Sequence, residues 1–440
     1  MKHKWLGILK NLGFRGVKDL KIEIKERIAK YKKSETPDGY KNIKLGIIPN
    51  DWSIKPLKEF SSKISDGIHS TPKYSEDGEY YFINGNNLNN GKIRIDENTK
   101  KIMYEEYLKL KQTLCSSTLL LSINGTIGNC AYYNREKVLL GKSACYININ
   151  EKSSIHYIYY AIQSAQVIAQ FNNELTGSTI KNLSLKAIRE TLLPFMKIKE
   201  QNKIATILST WDEAIELKEQ LIESKKQQKK GLMRKLLTGK VRMPGFDGEW
   251  KEVRLEDIAI QSTQKNTENQ EIRVLSCTKY DGLVDSLEYF GRKMFSEDIS
   301  KYKLVKKEEI CYATNHIEEG SIGILDEYDI GLVSPMYTVF RIDPHYNSGY
   351  IFRILKSDSY VELYKSLMSA SVNRRGSLRW KEFSKIKIKL PPVDEQIEIA
   401  NLMNLMDKNL ELLEQELAAL KLQKKGLMQL LLTGIVRVQC

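Results

Sequence analysis

The chain has 440 residues, a net charge of +14 and a pI near 9.2, so two or three domains with their own cores are possible. No apolar run approaches the roughly 18 residues of a membrane-spanning helix. The five histidines and six cysteines show no metal-ligand spacing. These features exclude a membrane protein and a zinc module. They predict a soluble cytoplasmic protein with buried, reduced thiols and a polyanionic partner.

Residues 1–38 are predicted to form a basic N-terminal arm, since residues 1–44 carry 13 basic and 5 acidic side chains. A short amphipathic helix is expected there, because apolar side chains recur at helical spacing: Val17, Leu20, Ile24, Ile28 and Tyr31. That helix could pack on the body of the protein, on a partner, or on phosphates.

A long internal repeat organises the rest of the chain. Residues 204–242 recur as residues 399–437 at a constant offset of 195, with 20 of 39 aligned positions identical. The identities gather where QKKGLM and LLTG occur twice. Two copies are too few for a solenoid, so the repeat indicates a duplicated protein.

Both copies are predicted to be long helices of about 55–60 Å. In the second copy, apolar residues from Ile399 to Leu431 alternate spacings of three and four, which is typical of a coiled-coil seam, and only Lys424 interrupts them. In the first copy we expect less regular pairing, because three lysines occupy seam positions: Lys218, Lys225 and Lys229. Glycines just past the last periodic residues predict left-handed helix caps at Gly239 and Gly434.

Each half of the chain also opens and closes alike. A tryptophan stands five residues before a leucine at the start of both halves (Trp52 and Trp250), and a Leu-Pro turn followed by Glu-Gln ends both. GTIGN at 125–129 matches GSIGI at 320–324 at the same offset, and we interpret Thr126 and Ser321 between these glycines as structural. Short strand-like and helical runs alternate, which favours α+β domains. The predicted segments are the arm 1–38, domains 39–196 and 243–393, and helices 197–242 and 394–440.

This order of motifs resembles the specificity subunit of type I restriction–modification systems, over residues 39–437. The stretch DGIHSTPKY at 66–74 is similar to one found in a class of target recognition domain in these subunits. The resemblance implies an α+β protein in which two target recognition domains are joined and separated by two long antiparallel helices, a coiled coil with pseudo-two-fold internal duplication.

Several functional expectations follow from the resemblance. Each domain would read one half of an asymmetric bipartite site in double-stranded DNA. The helices would set the spacer and dock two methyltransferase subunits, and restriction/translocase subunits would join them for cleavage. S-adenosylmethionine, ATP and Mg²⁺ would bind to those partners and not to this chain, which is expected to act without catalysis of its own in a complex with adenine-N6 methyltransferase and ATP-dependent endonuclease activities.

Candidate DNA contacts in the first domain are polar residues of three stretches, because Asn can bridge adenine and Lys or His can reach guanine or phosphate. They are His69, Ser70, Thr71, Lys73, Tyr74, Asn84, Asn86, Asn87, Ser178, Thr179, Lys181 and Asn182. For residues 84–90 the alternative is a simple turn. Lysines within 225–235 could meet phosphates, a methyltransferase or solvent.

Candidates in the second domain centre on a basic stretch, residues 371–389, whose arginines suit bidentate contacts with guanine or phosphate. They are Lys279, Tyr280, Asn315, His316, Arg374, Arg375 and Arg379. Trp380 is expected to belong to the core.

No catalytic motif accompanies these residues. The sequence contains no GxGxxG cofactor loop and no Walker-type GxxxxGK[ST], and Asp343-Pro344-His345-Tyr346 lacks the second proline of an adenine methyltransferase motif. The alternative hypothesis is a coiled-coil scaffold or regulator with weak or no DNA specificity. A combined methyltransferase–specificity chain is disfavoured by the missing cofactor loop.

Overall fold

The computed structural model describes residues 19–177, 181–370 and 376–439, without the side chains of residues 19–22 and 370. The chain divides into two compact units. The first contains Met1–Lys218 and Glu416–Cys440, and the second contains Glu219–Gln415. Each unit therefore holds one globular domain together with a part of each long helix.

The first unit begins with helix α1, Asp19–Lys32, which confirms the predicted N-terminal helix. Ile24 and Ile28 pack on the core of this unit. The Arg27 guanidinium donates to the Tyr40 hydroxyl at 3.0 Å and to the Ile435 carbonyl at 3.2 Å. The helix therefore packs on the body of the protein, which is one of the surfaces proposed for it above.

The strands of the first unit are short. They are β1 Tyr40–Ile43, β2 Gly46–Pro49, β3 Ser53–Pro56, β4 Ser61–Asp66, β5 Tyr80–Ile83, β6 Leu88–Asn89, β7 Lys92–Ile93, β8 Lys101–Ile102, β9 Thr118–Ser122, β10 Cys130–Tyr132, β11 Val138–Leu140, β12 Ala144–Ile149 and β13 Leu192–Phe195. The further helices are α2 Tyr104–Leu110, α3 Ile155–Ile162, α4 Ala165–Asn173, α5 Leu185–Glu190 and the long α6 Ile198–Leu236, with 3₁₀ turns at Leu57–Phe60 and Gly85–Asn87. Serine hydroxyls accept backbone N–H groups at the starts of α3, α4 and α5, as N-caps do.

An antiparallel sheet in the order β10-β9-β12-β4 forms the centre of the first domain. Every residue of β12 is buried, because the strand lies between β9 and β4 and both its faces are covered. A second sheet, β11-β5-β8, pairs β11 parallel to β5. Pairs β1–β2, β6–β7 and β3–β13 complete the domain. Trp52, immediately before β3, is buried in the core.

The second unit repeats this plan with fewer strands. They are β14 Lys251–Arg254, β15 Ala259–Ser262, β16 Leu275–Thr278, β17 Gly282–Asp285, β18 Lys303–Lys306, β19 Ile310–Ala313, β20 Ile322–Ile324, β21 Ile330–Val333, β22 Tyr337–Ile342 and β23 Lys387–Leu390. Its helices are α7 Leu255–Ile258, α8 Ser286–Phe290, α9 Ser348–Leu355, α10 Asp358–Ala370, α11 Trp380–Phe383 and the long α12 Val393–Leu432, with a 3₁₀ turn at Ile317–Glu319.

The central sheet of the second domain, β15-β22-β19-β20, has the same antiparallel order as β4-β12-β9-β10. Pair β14–β23 likewise corresponds to β3–β13. The offset of 195 does not hold between these sheets. Ser122 bonds across its hairpin to Asn129, and Ala313 bonds across its hairpin to Ser321. GTIGN therefore lies in a loop, whereas GSIGI runs into β20, and their sequence match is out of structural register by about three residues.

The predicted seam of the long helices is confirmed. Seam positions from Ile399 to Leu431 are buried or half-buried. The helices run antiparallel within each unit. In the first unit Asp212 pairs with Lys424 and Lys218 with Glu416, and in the second Lys226 pairs with Glu414 and Lys229 with Asp407.

The expectation of irregular pairing at the seam lysines needs correction at two positions. Lys218 donates to Glu416 at 2.9 Å, and Lys229 forms an ion pair with Asp407. Lys424, which interrupts the other copy, pairs with Asp212. Asp212 and Lys229 precede Asp407 and Lys424 by 195 residues, so the same ion pair occurs once in each unit. A lysine at the seam is accommodated because the opposite helix supplies a carboxylate.

The caps and thiols follow the predictions except at one cysteine. Gly239 and Gly434 both have φ of +69°, the left-handed conformation expected after a helix. Of the cysteines described, Cys115 is exposed, contrary to expectation, and the others are buried. Burial raises the pKa of the Cys130 and Cys277 thiols to about 12. Within the described part of the chain, no helix is long and apolar enough to cross a membrane.

Candidate nucleic-acid interface

Three strand ends meet at one edge of the first domain. Cys145, near the start of β12, lies opposite Asp66 at the end of β4, and Ala144 lies opposite Ser122 at the end of β9. The Gly141 N–H donates to the Ile83 carbonyl at 2.8 Å, which brings the end of β5 to the same edge. The stretches that follow β4 and β5 therefore start side by side at this edge. They contain the candidates of 69–74 and 84–87.

The third predicted stretch reaches this edge through backbone hydrogen bonds. Thr176 and Asn182 exchange N–H···O bonds of 2.8 and 3.0 Å, and the Leu183 N–H donates to the Ile123 carbonyl at 2.9 Å. Lys181 and Asn182 are exposed beside the β9–β10 hairpin. Ser178 and Thr179 lie outside the described residues.

A concavity of about 260 Å³ joins two of these stretches. Tyr74 lies on one side, with its ring 5.8 Å from that of Phe82, and the asparagines of the predicted 84–87 cluster line another. The segment 96–100 closes it with Asn98 and Lys100, which sequence reasoning missed. The signal was weak, because DENTK reads as an ordinary polar turn until the fold brings it beside Tyr74.

The asparagines differ in what their side chains already do. The Asn84 N–H donates to the Asn87 side chain at 2.9 Å, and the Asn87 amide donates to the Arg94 carbonyl at 2.9 Å. The Ser143 hydroxyl donates to the Asn84 side chain. Asn84 and Asn87 thus hold the turn, while Asn86 is exposed. The Thr126 hydroxyl donates to the Gly85 carbonyl at 3.2 Å, tying this turn to the β9–β10 hairpin.

The first stretch presents mainly exposed side chains. His69 Nε2 lies 2.7 Å from an Asp66 carboxylate oxygen, which orients the ring at the end of β4. Ser70, Thr71 and Lys73 are exposed. The Lys73 backbone N–H donates to Glu106 at 3.1 Å, so the loop is fixed while the Lys73 ammonium is left to solvent.

The second domain assembles a comparable edge. Ala313 at the end of β19 lies opposite Tyr337 at the start of β22. The Leu378 N–H donates to the Thr314 carbonyl at 2.8 Å, as Leu183 donates to Ile123 in the first domain. This contact brings the basic stretch beside the loop that carries Asn315 and His316.

Lys356 joins a further loop to that edge. Its ammonium donates to the carbonyls of Lys279 at 2.8 Å, Gly320 at 2.6 Å and Ile322 at 3.1 Å. Burial lowers the pKa of Lys356, and the three carbonyls satisfy its three protons. The loop with the exposed pair Lys279 and Tyr280 is thereby held near the β19–β20 hairpin.

Of the remaining candidates in the basic stretch, Arg379 lies among the described residues and the other two do not. Arg379 is exposed at the start of α11. Trp380 packs against Phe340, with ring centroids 5.2 Å apart, in the core as expected. Arg374 and Arg375 lie outside the described residues. Each domain therefore gathers its described candidates on one edge, with exposed hydrogen-bonding and cationic groups suited to base edges and phosphates.

One group of potential metal ligands lies on the second edge. Ligand atoms of His316, Glu318 and Glu319 lie within 4.8 Å of one another. Exposed acidic groups of this kind are common without an ion, and two carboxylates here would repel phosphate. The two carboxylates therefore disfavour a phosphate at this point of the edge.

Comparison with known proteins identifies the family of the chain. Residues 49–226 and 247–422 match the family model described as the type I restriction modification DNA specificity domain. The chain is similar to the type I restriction enzyme MjaVIII specificity subunit of Methanocaldococcus jannaschii, with 25% identity over 428 residues that cover 89% of this chain and 94% of that protein.

Two solved structures share the fold. One is the type I restriction–modification S subunit from M. genitalium, with a TM-score of 0.51, 17% identity, and coverage of 86% of this chain and 96% of that one. The other comes from work on complex assembly and conformational transition of the type I R-M system, with a TM-score of 0.56, 14% identity, and coverage of 88% and 99%. Since the family model matches twice, across most of the sequence, the chain belongs to the type I restriction–modification DNA specificity family.

Proposed function

We propose that this chain recognises DNA sequence for a type I restriction–modification complex, with each domain reading one half of a bipartite site. The observation that carries the proposal is the convergence in each unit. Candidates scattered between His69 and Asn182 come to one edge of the first domain, and those between Lys279 and Arg379 come to one edge of the second. Two readers in one chain suit two half-sites on one duplex.

The target is proposed to be asymmetric. The two edges carry different side chains, with Tyr74, Asn86 and Lys100 on the first and Tyr280, His316 and Arg379 on the second. Different donor and acceptor patterns select different base pairs in the major groove. The helices α6 and α12 would set the spacer between the half-sites.

Two methyltransferase subunits are the proposed partners of the helices. Leu217 of the first unit and Leu412 of the second are separated by 195 residues, and both are exposed on the long helices. Exposed leucines at matched positions favour one equivalent partner at each unit. S-adenosylmethionine would bind to these subunits, and ATP and Mg²⁺ to restriction/translocase subunits, so the chemistry belongs to the partners.

The test is sequencing of methylated adenines in cells with and without the gene. We expect one bipartite motif to vanish on deletion, and exchange of residues 243–393 for another recognition domain to change only one half of it. Unchanged methylation, despite a methyltransferase that copurifies with the chain, would refute the proposal. The scaffold hypothesis would then be preferred.

A further inference from the structure

A groove of about 860 Å³ opens beside the end of α6 in the second unit. The end of α6 forms one wall, and α9 and the start of α10 form the opposite wall. Apolar side chains line much of it: Met233, Leu237, Trp250, Ile354 and Tyr360. The candidate DNA contacts of the second domain, from Lys279 to Arg379, do not line this groove.

The first unit closes the equivalent groove with its own hairpin. Leu432, Thr433 and Pro194 there correspond to Leu237, Thr238 and Lys389 at the offset of 195. The pair β1–β2 and its connecting turn add Leu45 and Ile48 to that site, and only about 10 Å³ stays empty. The natural occupant of this groove is thus a short segment with branched aliphatic side chains.

Among its described residues, the second unit has no such hairpin. Residues 237–249, which occupy the corresponding position before Trp250, form turns and irregular backbone without a strand. The same helix end and the same helix pair that bury a hairpin in one unit are therefore uncovered in the other. An apolar groove of this size on an otherwise charged surface indicates a binding site.

Trp250 forms part of the wall of this groove. Its side chain is 9% exposed and lines the groove, and its indole N–H is buried with no acceptor among the described residues. In the first unit the Trp52 N–H donates to Glu200 at 3.2 Å. The equivalent Glu395 accepts from Arg242 at 2.7 and 2.8 Å, as Glu200 also accepts from Arg437, but it does not accept from Trp250. The indole nitrogen is shielded from solvent, so an occupant of the groove would contact the ring of Trp250 and not its N–H.

The charge of the groove indicates what kind of ligand fits. Arg234, Lys240 and Lys389 line it, are exposed and have no ion-pair partner among the described residues. The two acids of the lining are already paired, Asp358 with Lys230 at 3.1 Å and Glu362 with Lys365 at 2.6 Å. Lys389 lies opposite Glu252 in the β14–β23 pair and is partly compensated by it, whereas Arg234 and Lys240 leave uncompensated positive charge around an apolar floor. An acidic occupant would complement that charge.

We propose that this groove receives a segment of one methyltransferase subunit, acidic and bearing branched aliphatic side chains. The proposal rests on the proposed function, which supplies the partner. Because the first unit fills its own groove, the two methyltransferase subunits bind unequally. One inserts a segment into the second unit, and the other meets a closed surface.

The experiment titrates the full-length chain with the purified methyltransferase subunit and follows the two binding steps by native mass spectrometry. We expect Arg234→Glu to weaken one step about tenfold. The matched control is Gln429→Glu, at the equivalent position beside the closed groove, and it should change neither step. Hydrogen exchange in the wild-type complex needs no variant. Residues 357–362 should gain protection on binding, whereas residues 164–169 should not.

The outcomes separate the two proposals. Two unchanged steps in Arg234→Glu, or no protection of residues 357–362 in the wild-type complex, would overturn docking in the groove and leave DNA recognition intact. A wild-type chain that binds no methyltransferase at all would overturn the proposed function, and the docking proposal with it.

Discussion

Replacing Asp212 by Asn should destabilise the paired long helices of the first unit by about 2 kcal/mol. The Asp212 carboxylate accepts the Tyr160 hydroxyl at 2.6 Å and forms an ion pair with Lys424, whose ammonium also lies 5.4 Å from the Tyr160 ring centroid. The Lys424 side chain is 19% exposed and that of Asp212 is 41% exposed. The amide that replaces this carboxylate has one accepting oxygen and no charge. It would therefore leave the mostly buried ammonium without its counterion, and only one of the two donors could keep an acceptor.

The reverse substitution should cost less. Lys424→Met leaves Asp212 partly hydrated and still bonded to Tyr160, so we expect about 1 kcal/mol or less. A fully buried pair would cost about 3–5 kcal/mol when broken, and the exposure of Asp212 reduces that figure. The order of the two effects, Asp212→Asn above Lys424→Met, follows from which partner is left buried.

The assay is a double-mutant cycle read by hydrogen exchange in residues 198–218 and 416–432, because a two-unit chain need not unfold in one step. The exposed pair Lys58–Glu190, 2.7 Å apart in the same unit, is the matched control and should couple by less than about 0.5 kcal/mol. Asp212–Lys424 coupling no larger than that of the control would refute the reasoning.

Three further predictions concern the edges and the helix ends. Asn86→Ala should relax the first half of the methylated motif without lowering Tm, whereas Asn87→Ala should lose about 1 kcal/mol of stability by removing a turn cap; the reverse pattern would contradict the assigned roles. Arg379→Ala should weaken DNA binding and spare the first half-site, measured by anisotropy over a salt series; unchanged binding would remove Arg379 from the interface. The hydrogen bond from Arg437 lowers the pKa of Asp51 below its usual 3.8, so its small contribution is full above about pH 4 and is lost as the pH falls through the lower folded-state pKa. Melting curves of Asp51→Asn and the wild type should therefore converge in acid, and a constant difference would contradict this.

The long helices were predictable because their information is local. Apolar residues spaced by three and four lie on one face of a helix, and that face is expected to be buried whatever the rest of the fold. Met403 and Leu427 are buried accordingly. The glycine caps needed only a position past the last periodic residue. The duplication was visible for the same reason, since an antiparallel seam keeps its residue types in both copies.

The convergence of the candidate residues was decided by tertiary structure. His69, Asn86 and Lys181 approach one edge because β12 inserts between β9 and β4, a pairing between residues about 80 apart that no local pattern encodes. The same holds for Asn98 and Lys100, which join the candidate interface only through the fold. The fold also decides that the Asn86 side chain is exposed, whereas the Asn87 side chain caps a turn.

The sequence by itself determined the repeated unit, the α+β class, the coiled-coil seam and the polar stretches proposed to contact DNA. It could not determine that the lysines of the seam find carboxylates, because their partners lie about 180–210 residues away. It also could not show that one groove is filled by β1–β2 and its equivalent is open. The two helix ends have similar sequences, and the difference lies in the segments that pack against them. Periodicity acts within one element, whereas occupancy and hydrogen-bond pairing depend on contacts between distant elements.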